Sequence, residues 1–113
     1  MQEALVLLYA DVDADIAMSE REFFCLTEPG ARMHGSGPDR ATIGGRMMRL
    51  SPQAVTSAWE AYVVELHYLR EYVASATNFE FGGLLEASDQ HIVRCRQAVD
   101  RLKSAVQQHL AMH

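Results

Sequence analysis

The most regular hydrophobic pattern of the chain lies in residues 51–77. Its apolar side chains recur in steps of four and three, which predicts a helix with Ser51 as N-cap and Pro52 in the first turn. The pattern covers two faces of that helix, although a helix on the surface of a domain needs only one apolar face. The first stripe consists of Val55, Trp59, Tyr62, Leu66, Leu69, Val73 and Ala76. The second stripe consists of Ala61, Val64, Tyr68 and Tyr72.

A one-sided pattern predicts another long helix at about residues 84–111. Its apolar stripe lies opposite a polar face that includes Arg94, Gln97 and Arg101. Because only the short turn 77–83 joins the two long helices, they must run antiparallel, and residues 51–111 predict a helical hairpin. The stripe consists of Leu85, Ser88, Ile92, Cys95, Val99, Leu102, Val106 and His109.

Residues 3–26 predict an N-terminal helix. Two alternatives stay open, because the apolar run from Leu5 to Tyr9 also suits a short buried strand, and the nearby aspartates favour a break between Asp11 and Ser19. The helical stripe consists of Leu5, Tyr9, Val12, Ile16, Phe23 and Leu26, with Ser19 as its polar interruption.

The prolines and glycines of residues 28–50 predict a loop. Pro29 and Gly30 end the preceding helix, and glycines recur at positions 35, 37, 44 and 45. A loop of this length is uncommon in a compact domain and is usually functional or disordered. Residues 41–43 or 46–48 are the candidates for a locally extended segment within it.

These elements predict a single all-α domain over residues 1–113, with a long helical hairpin and an N-terminal helix. The length is near the usual domain size, and the 49% of hydrophobic residues suffice for a core. Three helices of this length form an incomplete bundle, which a second copy would complete. We therefore expect a homodimeric helical bundle.

Charge and composition favour a cytoplasmic protein whose partner is another protein. The net charge of −5 argues against nucleic acid or an anionic membrane as the main partner, since both need a basic surface. No stretch approaches the ~20 apolar residues of a membrane span. The apolar run 4–10 lacks the basic segment that opens a signal peptide.

An acidic motif near the N-terminus is the first candidate for metal chemistry. Asp11, Asp13, Asp15 and Glu22 match positions of a calcium-binding EF-hand loop, but Ile16 stands where the sharp turn needs glycine. A solvated acidic face or a helix break is the simpler interpretation.

The other candidates for chemistry are also incomplete. His91 and Cys95 lie one helical turn apart, as zinc ligands on a helix do, yet two ligands do not make a site. The glycine-rich residues 35–45 lack the lysine of a phosphate-binding loop. Cys25 sits among apolar neighbours, an environment that keeps a thiol inert. We expect no catalytic residues, no metal and no cofactor.

Charges divide unevenly between the first two segments. Residues 1–28 carry seven acids against Arg21, and residues 29–50 carry four arginines against Asp39. The simpler interpretation is that the two segments pair within the fold or across a dimer. The alternative is that the arginines contact an acidic partner surface. These arginines are Arg32, Arg40, Arg46 and Arg49.

Aromatic residues crowd the helix 51–77 and the turn after it, and they predict a partner-binding surface. Tyrosine and tryptophan contribute large contact areas with a polar tip and dominate many interfaces. The alternative is that residues 3–26 cover the second stripe within one chain. The predicted partner-binding residues are Val64, Tyr68, Tyr72, Phe79 and Phe81.

The segment from Trp59 to Tyr72, WEAYVVELHYLREY, resembles the QslA-like anti-activators of quorum sensing, as do the length and the helical plan. The resemblance implies a homodimeric helical protein that binds the ligand-binding domain of a LasR-like transcription activator. It also implies that binding blocks the dimerisation of that activator and hence its DNA binding.

A helical secretion chaperone or adaptor that holds a client segment is the alternative of another class. Such a protein uses a broad, adaptable surface rich in methionine. Met33, Met47 and Met48 in the predicted loop are compatible with that role.

Overall fold

A computed structural model describes residues 3–28, 39–76 and 85–112. Over these ranges the chain forms helices and no strand, so the prediction of an all-α fold is confirmed. The helices are α1 (Glu3–Thr27), α2 (Arg40–Leu50), α3 (Gln53–Ala76) and α4 (Gln90–Ala111).

Helix α1 runs without interruption through its acidic segment. Neither the strand at Leu5 to Tyr9 nor the break between Asp11 and Ser19 is present. Burial explains the continuity, because apolar side chains on one face outweigh the low helix propensity of the aspartates. Leu8 and Val12 on that face are fully buried.

Residues 40–50 are helical, so the prediction of a loop over 28–50 is wrong there, as are the extended segments at 41–43 and 46–48. Asp39 is the N-cap of α2, and its carboxylate accepts hydrogen bonds from Ala41 N and Thr42 Oγ1, each at 3.0 Å. Ile43 and Met47, one turn apart, are buried in the core. Residues 29–38 lie outside the described residues.

Ser51 caps the end of α2 and not the beginning of α3, so its predicted role as N-cap is wrong. Its backbone N–H donates to Met47 O at 3.0 Å. Helix α3 begins at Gln53, and Pro52 O accepts the first bonds of its turn from Val55 N and Thr56 N. The predicted helix 51–77 is therefore observed over Gln53–Ala76, and residues 77–84 lie outside the described part of the chain.

Helix α4 begins later than the predicted residue 84. Residues 85–89 are not helical, because Asp89 is the N-cap and its Oδ1 accepts the backbone N–H of His91 at 2.8 Å. Leu85 precedes the helix and donates its N–H to Leu26 O at the end of α1, at 2.6 Å.

The core joins all four helices of the described ranges. Helix α3 packs mainly on α4, while α2 packs on both α1 and α3. Tyr9 Oη forms hydrogen bonds with His109 Nδ1 at 2.6 Å and Ser51 Oγ at 3.1 Å, which tie α1 to α4 and to the α2–α3 junction. The largest fully buried apolar side chains are Tyr62, Phe23, Leu8, Ile43, Met47, Leu66, Leu69, Ile92 and Leu102. None of the helices over residues 3–28, 39–76 and 85–112 is long and apolar enough to cross a membrane.

Candidate functional site

The two stripes of α3 have different surroundings. The first is buried from Val55 to Leu69. In the second, Val64 is 46% exposed and Tyr68 is 53% exposed. Helix α1 therefore does not cover these two residues, and the alternative in which residues 3–26 bury the whole second stripe is wrong at Val64 and Tyr68.

Tyr72 differs from Tyr68 because it is half-buried against α4. Its ring stacks on His91 with 4.0 Å between ring centroids and 11° between planes. Asp89 also contacts this imidazole, with 3.1 Å between Asp89 Oδ1 and His91 Nδ1. Tyr72 thus contributes to packing between helices as well as to the surface. The two other predicted partner-binding residues, Phe79 and Phe81, lie outside the described residues.

An open depression of about 530 Å³ lies where Tyr68 and Tyr72 meet α4. Its lining mixes aromatic rings with charges of both signs, so it is suited to polar contacts at the edge of an interface more than to an apolar anchor. The lining residues are Tyr68, Glu71, Tyr72, Ser75, His91 and Arg94.

A larger and more apolar groove, of about 600 Å³, lies between α2 and α3. Met48 of α2 is 73% exposed at this groove, and Val64 of α3 also lines it. The same groove therefore includes one predicted partner-binding residue and several that were not predicted. The lining residues are Arg40, Ala41, Gly44, Met48, Thr56, Trp59, Glu60, Val63 and Val64.

Two ion pairs fix α2 beside the groove. Arg40 Nε lies 2.9 Å from Asp15 Oδ2, and Arg46 Nη1 lies 2.6 Å from Asp11 Oδ2. The prediction that acids of the first segment pair with arginines of the second is confirmed for these pairs. Arg49 is exposed, and Arg32 lies outside the described residues.

A buried polar cluster joins α1, α2 and α3 beneath the groove. Tyr62 Oη lies 2.5 Å from Asp15 Oδ2 and 2.6 Å from Ser19 Oγ. Arg40 Nη2 donates to Ser19 Oγ at 3.2 Å. The expectation that the acidic segment is a solvated face or helix break is wrong at Asp15, which is 1% exposed. Because each of these side chains has partners, the cluster serves to position the helices.

Burial and charge set the protonation of this cluster. Burial raises the pKa of Tyr62, and the hydrogen bond to Asp15 raises it further, so the phenol stays protonated. Burial alone would lower the pKa of Arg40, but the hydrogen bond and charge of Asp15 outweigh it and raise that pKa. Near neutral pH the phenol of Tyr62 is therefore neutral and the guanidinium of Arg40 is charged.

The cysteine and histidine candidates have packing roles in the structure. Burial, followed by the charge of Glu65, raises the pKa of Cys95 to about 12. Its thiol points to Glu65 O at 3.3 Å, which makes it a poor nucleophile and a poor ligand at neutral pH. Over the described ranges, no three His, Cys, Asp or Glu side chains are grouped as metal ligands. Asp11 and Asp15 belong to a continuous helix, and not to a calcium-binding loop.

The sequence interpretation missed the groove because it missed α2. The signal was present: Asp39 is a favoured N-cap, and Ile43, Met47 and Leu50 follow in steps of four and three. Gly44 and Gly45 in the middle of the segment obscured it. Trp59 was assigned to the first stripe of α3, which is buried, but the sequence did not indicate that it also lines a groove at the surface.

These features define the class of the chain: an all-helical protein with an exposed apolar surface on α2 and α3. Comparison of the chain with protein-family models, curated proteins and solved structures gave no match. The resemblance to the QslA-like anti-activators therefore stays a prediction.

Proposed function

We propose that this chain is a non-enzymatic regulatory protein that binds another protein through the exposed surface of α2 and α3. The observation that carries the proposal is the apolar groove between these helices, with Val64 and Tyr68 exposed on α3 and Met48 exposed on α2. A contiguous apolar area with charged residues at its edge is typical of a protein interaction site.

The partner that this surface suits best is a transcription activator, in the form of a LasR-like quorum-sensing receptor. By binding the ligand-binding domain of that receptor, the chain would occupy the surface on which two receptors dimerise. A helix face with apolar and aromatic residues can substitute for the missing subunit. Binding to the monomer alone shifts the population away from the dimer, and DNA binding falls with it.

Charge supports action on a protein in the cytoplasm and not directly on DNA. The net charge of −5 repels nucleic acid, so inhibition of DNA binding would come from the receptor's loss of its dimer. No catalytic chemistry is required by this mechanism.

The proposal includes a homodimer built on an antiparallel hairpin. Glu65 O contacts Cys95 while Tyr72, further along α3, stacks on the earlier His91 of α4, as in antiparallel helices. Helix α1 also exposes apolar side chains, with Leu7 55% exposed near its start and Phe24 57% exposed near its end. Pairing of α1 with its copy would complete the bundle and leave α3 available for the receptor.

A secretion chaperone or adaptor is the second candidate, and the exposure of Met48 favours it. An exposed, flexible methionine beside a groove can adapt to clients of different sequence. The two candidates differ in selectivity: an anti-activator binds a folded receptor domain, whereas a chaperone binds unfolded segments of an exported protein.

The test is a titration of the purified ligand-binding domain of a LasR-like receptor into this protein, followed by calorimetry. The double variant Val64→Ser and Tyr68→Ser should weaken binding by about tenfold or more, since interface anchors of this type cost above about 1.4 kcal/mol when truncated. Val93→Ser on α4 is a matched control, because Val93 is 38% exposed and lies outside both depressions.

Thermal unfolding must accompany that titration. The double variant should keep its unfolding temperature within a few degrees, since exposed positions contribute little to stability. Absence of binding by the unmodified protein, or equal binding by the double variant, would reject the proposal. An unchanged reporter signal when the chain is over-expressed beside the receptor would reject anti-activation as its consequence.

A further inference from the structure

The groove between α2 and α3 contains a hydrogen-bond donor, the indole N–H of Trp59, that has no acceptor within residues 3–28, 39–76 and 85–112. Trp59 is only 3% exposed, and it lines the groove together with Gly44. None of the described residues accepts a hydrogen bond from its indole Nε1–H. Because this nitrogen is not among the buried polar atoms without a partner, it reaches solvent in the groove, where an acceptor on another molecule can replace water.

Gly44 keeps this donor open to the groove. A Cβ atom added at residue 44 would lie 3.5 Å from Trp59 Nε1, which is an ordinary van der Waals contact. The fold itself therefore has room for alanine, although glycine in a helix interior is less favourable. A methyl group at residue 44 would instead obstruct access to the indole N–H of Trp59.

The walls of the groove select the shape of its occupant. Both walls are helices, whose backbone N–H and C=O groups pair within the helix. An extended segment would bring a row of backbone polar groups into this space, where most of the lining side chains are apolar and cannot pair with them. A helix satisfies its own backbone and needs one side-chain acceptor opposite Trp59.

The charges at the edge of the groove determine which charge is favoured on its occupant. Arg40 is already paired with Asp15, which leaves Glu60 as the lining charge without an opposite partner among the described residues. The carboxylate of Glu60 therefore favours a cationic residue on the occupant, as does the net charge of −5.

We propose that this groove receives one apolar helix of the partner protein, with a side-chain oxygen of that helix accepting the hydrogen bond from Trp59 Nε1 and a lysine or arginine facing Glu60. The inference rests on the proposed function, because it names how the same surface holds the receptor domain. It adds Trp59, Gly44 and Glu60 to the binding surface.

Two adjacent glycines provide the test and its control. Gly44→Ala places a methyl group beside the indole N–H, whereas a Cβ at Gly45 meets nothing within 4 Å and lies outside the groove lining. Both substitutions should raise the unfolding temperature, because both replace glycine by alanine inside a helix. In a titration with the purified receptor domain, Gly44→Ala should raise the Kd by about tenfold, and Gly45→Ala by less than about twofold.

The indole N–H also gives a direct signal, because Trp59 is the only tryptophan of the chain. In the ¹⁵N-labelled protein it contributes one indole resonance, which should move when unlabelled receptor domain forms the new hydrogen bond. Trp59→Phe, which keeps an aromatic ring and removes the donor, should weaken binding to a similar extent as Gly44→Ala.

The outcomes separate this inference from the function on which it rests. If the unmodified protein binds and Gly44→Ala binds equally well, or if the indole resonance does not move, the helix-in-groove inference is rejected and the proposed function survives. A lower unfolding temperature for Gly44→Ala than for Gly45→Ala would show that the fold itself needs the glycine, and would also overturn it. If the unmodified protein does not bind the domain, both are rejected.

Discussion

Replacement of Tyr62 by phenylalanine tests whether the buried polar cluster holds α1, α2 and α3 together. Tyr62 is fully buried, and the substitution keeps its ring while it removes one hydroxyl. That hydroxyl lies 2.5 Å from Asp15 Oδ2 and 2.6 Å from Ser19 Oγ. The perturbation is therefore confined to hydrogen bonds, with little change in apolar packing.

The expected loss follows from the groups that remain. A hydrogen bond to a charged group contributes about 1.5–3 kcal/mol. After the substitution Asp15 and Ser19 both keep Arg40 as a partner, so neither is left without a hydrogen bond. We therefore expect Tyr62→Phe to lower the free energy of unfolding by about 2 kcal/mol, in the lower half of that range. For a chain of this size, such a loss lowers the unfolding temperature by about 10 °C.

Denaturant unfolding of Tyr62→Phe measures this loss, with Tyr68→Phe as a matched control. Tyr68 is 53% exposed, so removal of its hydroxyl should change the free energy of unfolding by less than about 0.5 kcal/mol. Asp15→Asn, alone and combined with Tyr62→Phe, gives a coupling energy for the pair. A loss below about 0.5 kcal/mol for Tyr62→Phe, or no coupling with Asp15→Asn, would refute the argument that the cluster fixes the helices.

Two further predictions concern pH and assembly. The folded state holds the proton of Cys95 up to a pKa of about 12 against an ordinary value of 9.0, so its stabilising contribution is complete below pH 9 and is lost as pH rises towards 12. The free energy of unfolding should fall by about 1.4 kcal/mol per pH unit for this group. Cys95→Ala should flatten that slope between pH 9 and 10 in unfolding curves, and an unchanged slope would contradict the assignment. Light scattering at micromolar concentration should give about twice the chain mass of 12.6 kDa, and a monomer mass would reject the homodimer.

Local patterns were sufficient for the long helices. The repeat of Leu5, Val12 and Ile16 predicted α1, and the two apolar stripes of α3 were visible in the sequence, although not which of them is buried. Tertiary contacts decided what the patterns did not. Helix α2 contains Gly44 and Gly45, which favour a loop by propensity, yet burial of its Ile43 and Met47 face keeps it helical.

The buried carboxylate of Asp15 also shows what local sequence patterns can and cannot predict. Asp15 occupies a position on the buried stripe of α1, between Val12 and Ser19, so its burial was open to prediction from spacing alone. The ion-pair partner of Asp15 could not be predicted from spacing, because Arg40 is 25 residues away in the chain and reaches Asp15 only after α2 has packed. No local rule distinguishes this arginine from the exposed Arg49.

Arg40 connects the stability of the fold to the proposed binding surface. It holds Asp15 and Ser19 on one side and lines the groove on the other. Loss of the polar cluster would therefore weaken one wall of the groove as well as the fold. By linkage, a helix bound in the groove stabilises the folded chain according to its concentration relative to the Kd. The hydrogen bonds of Arg40 to Asp15 and Ser19 thus keep the groove formed before its partner arrives, so the energy of binding need not be spent on ordering α2.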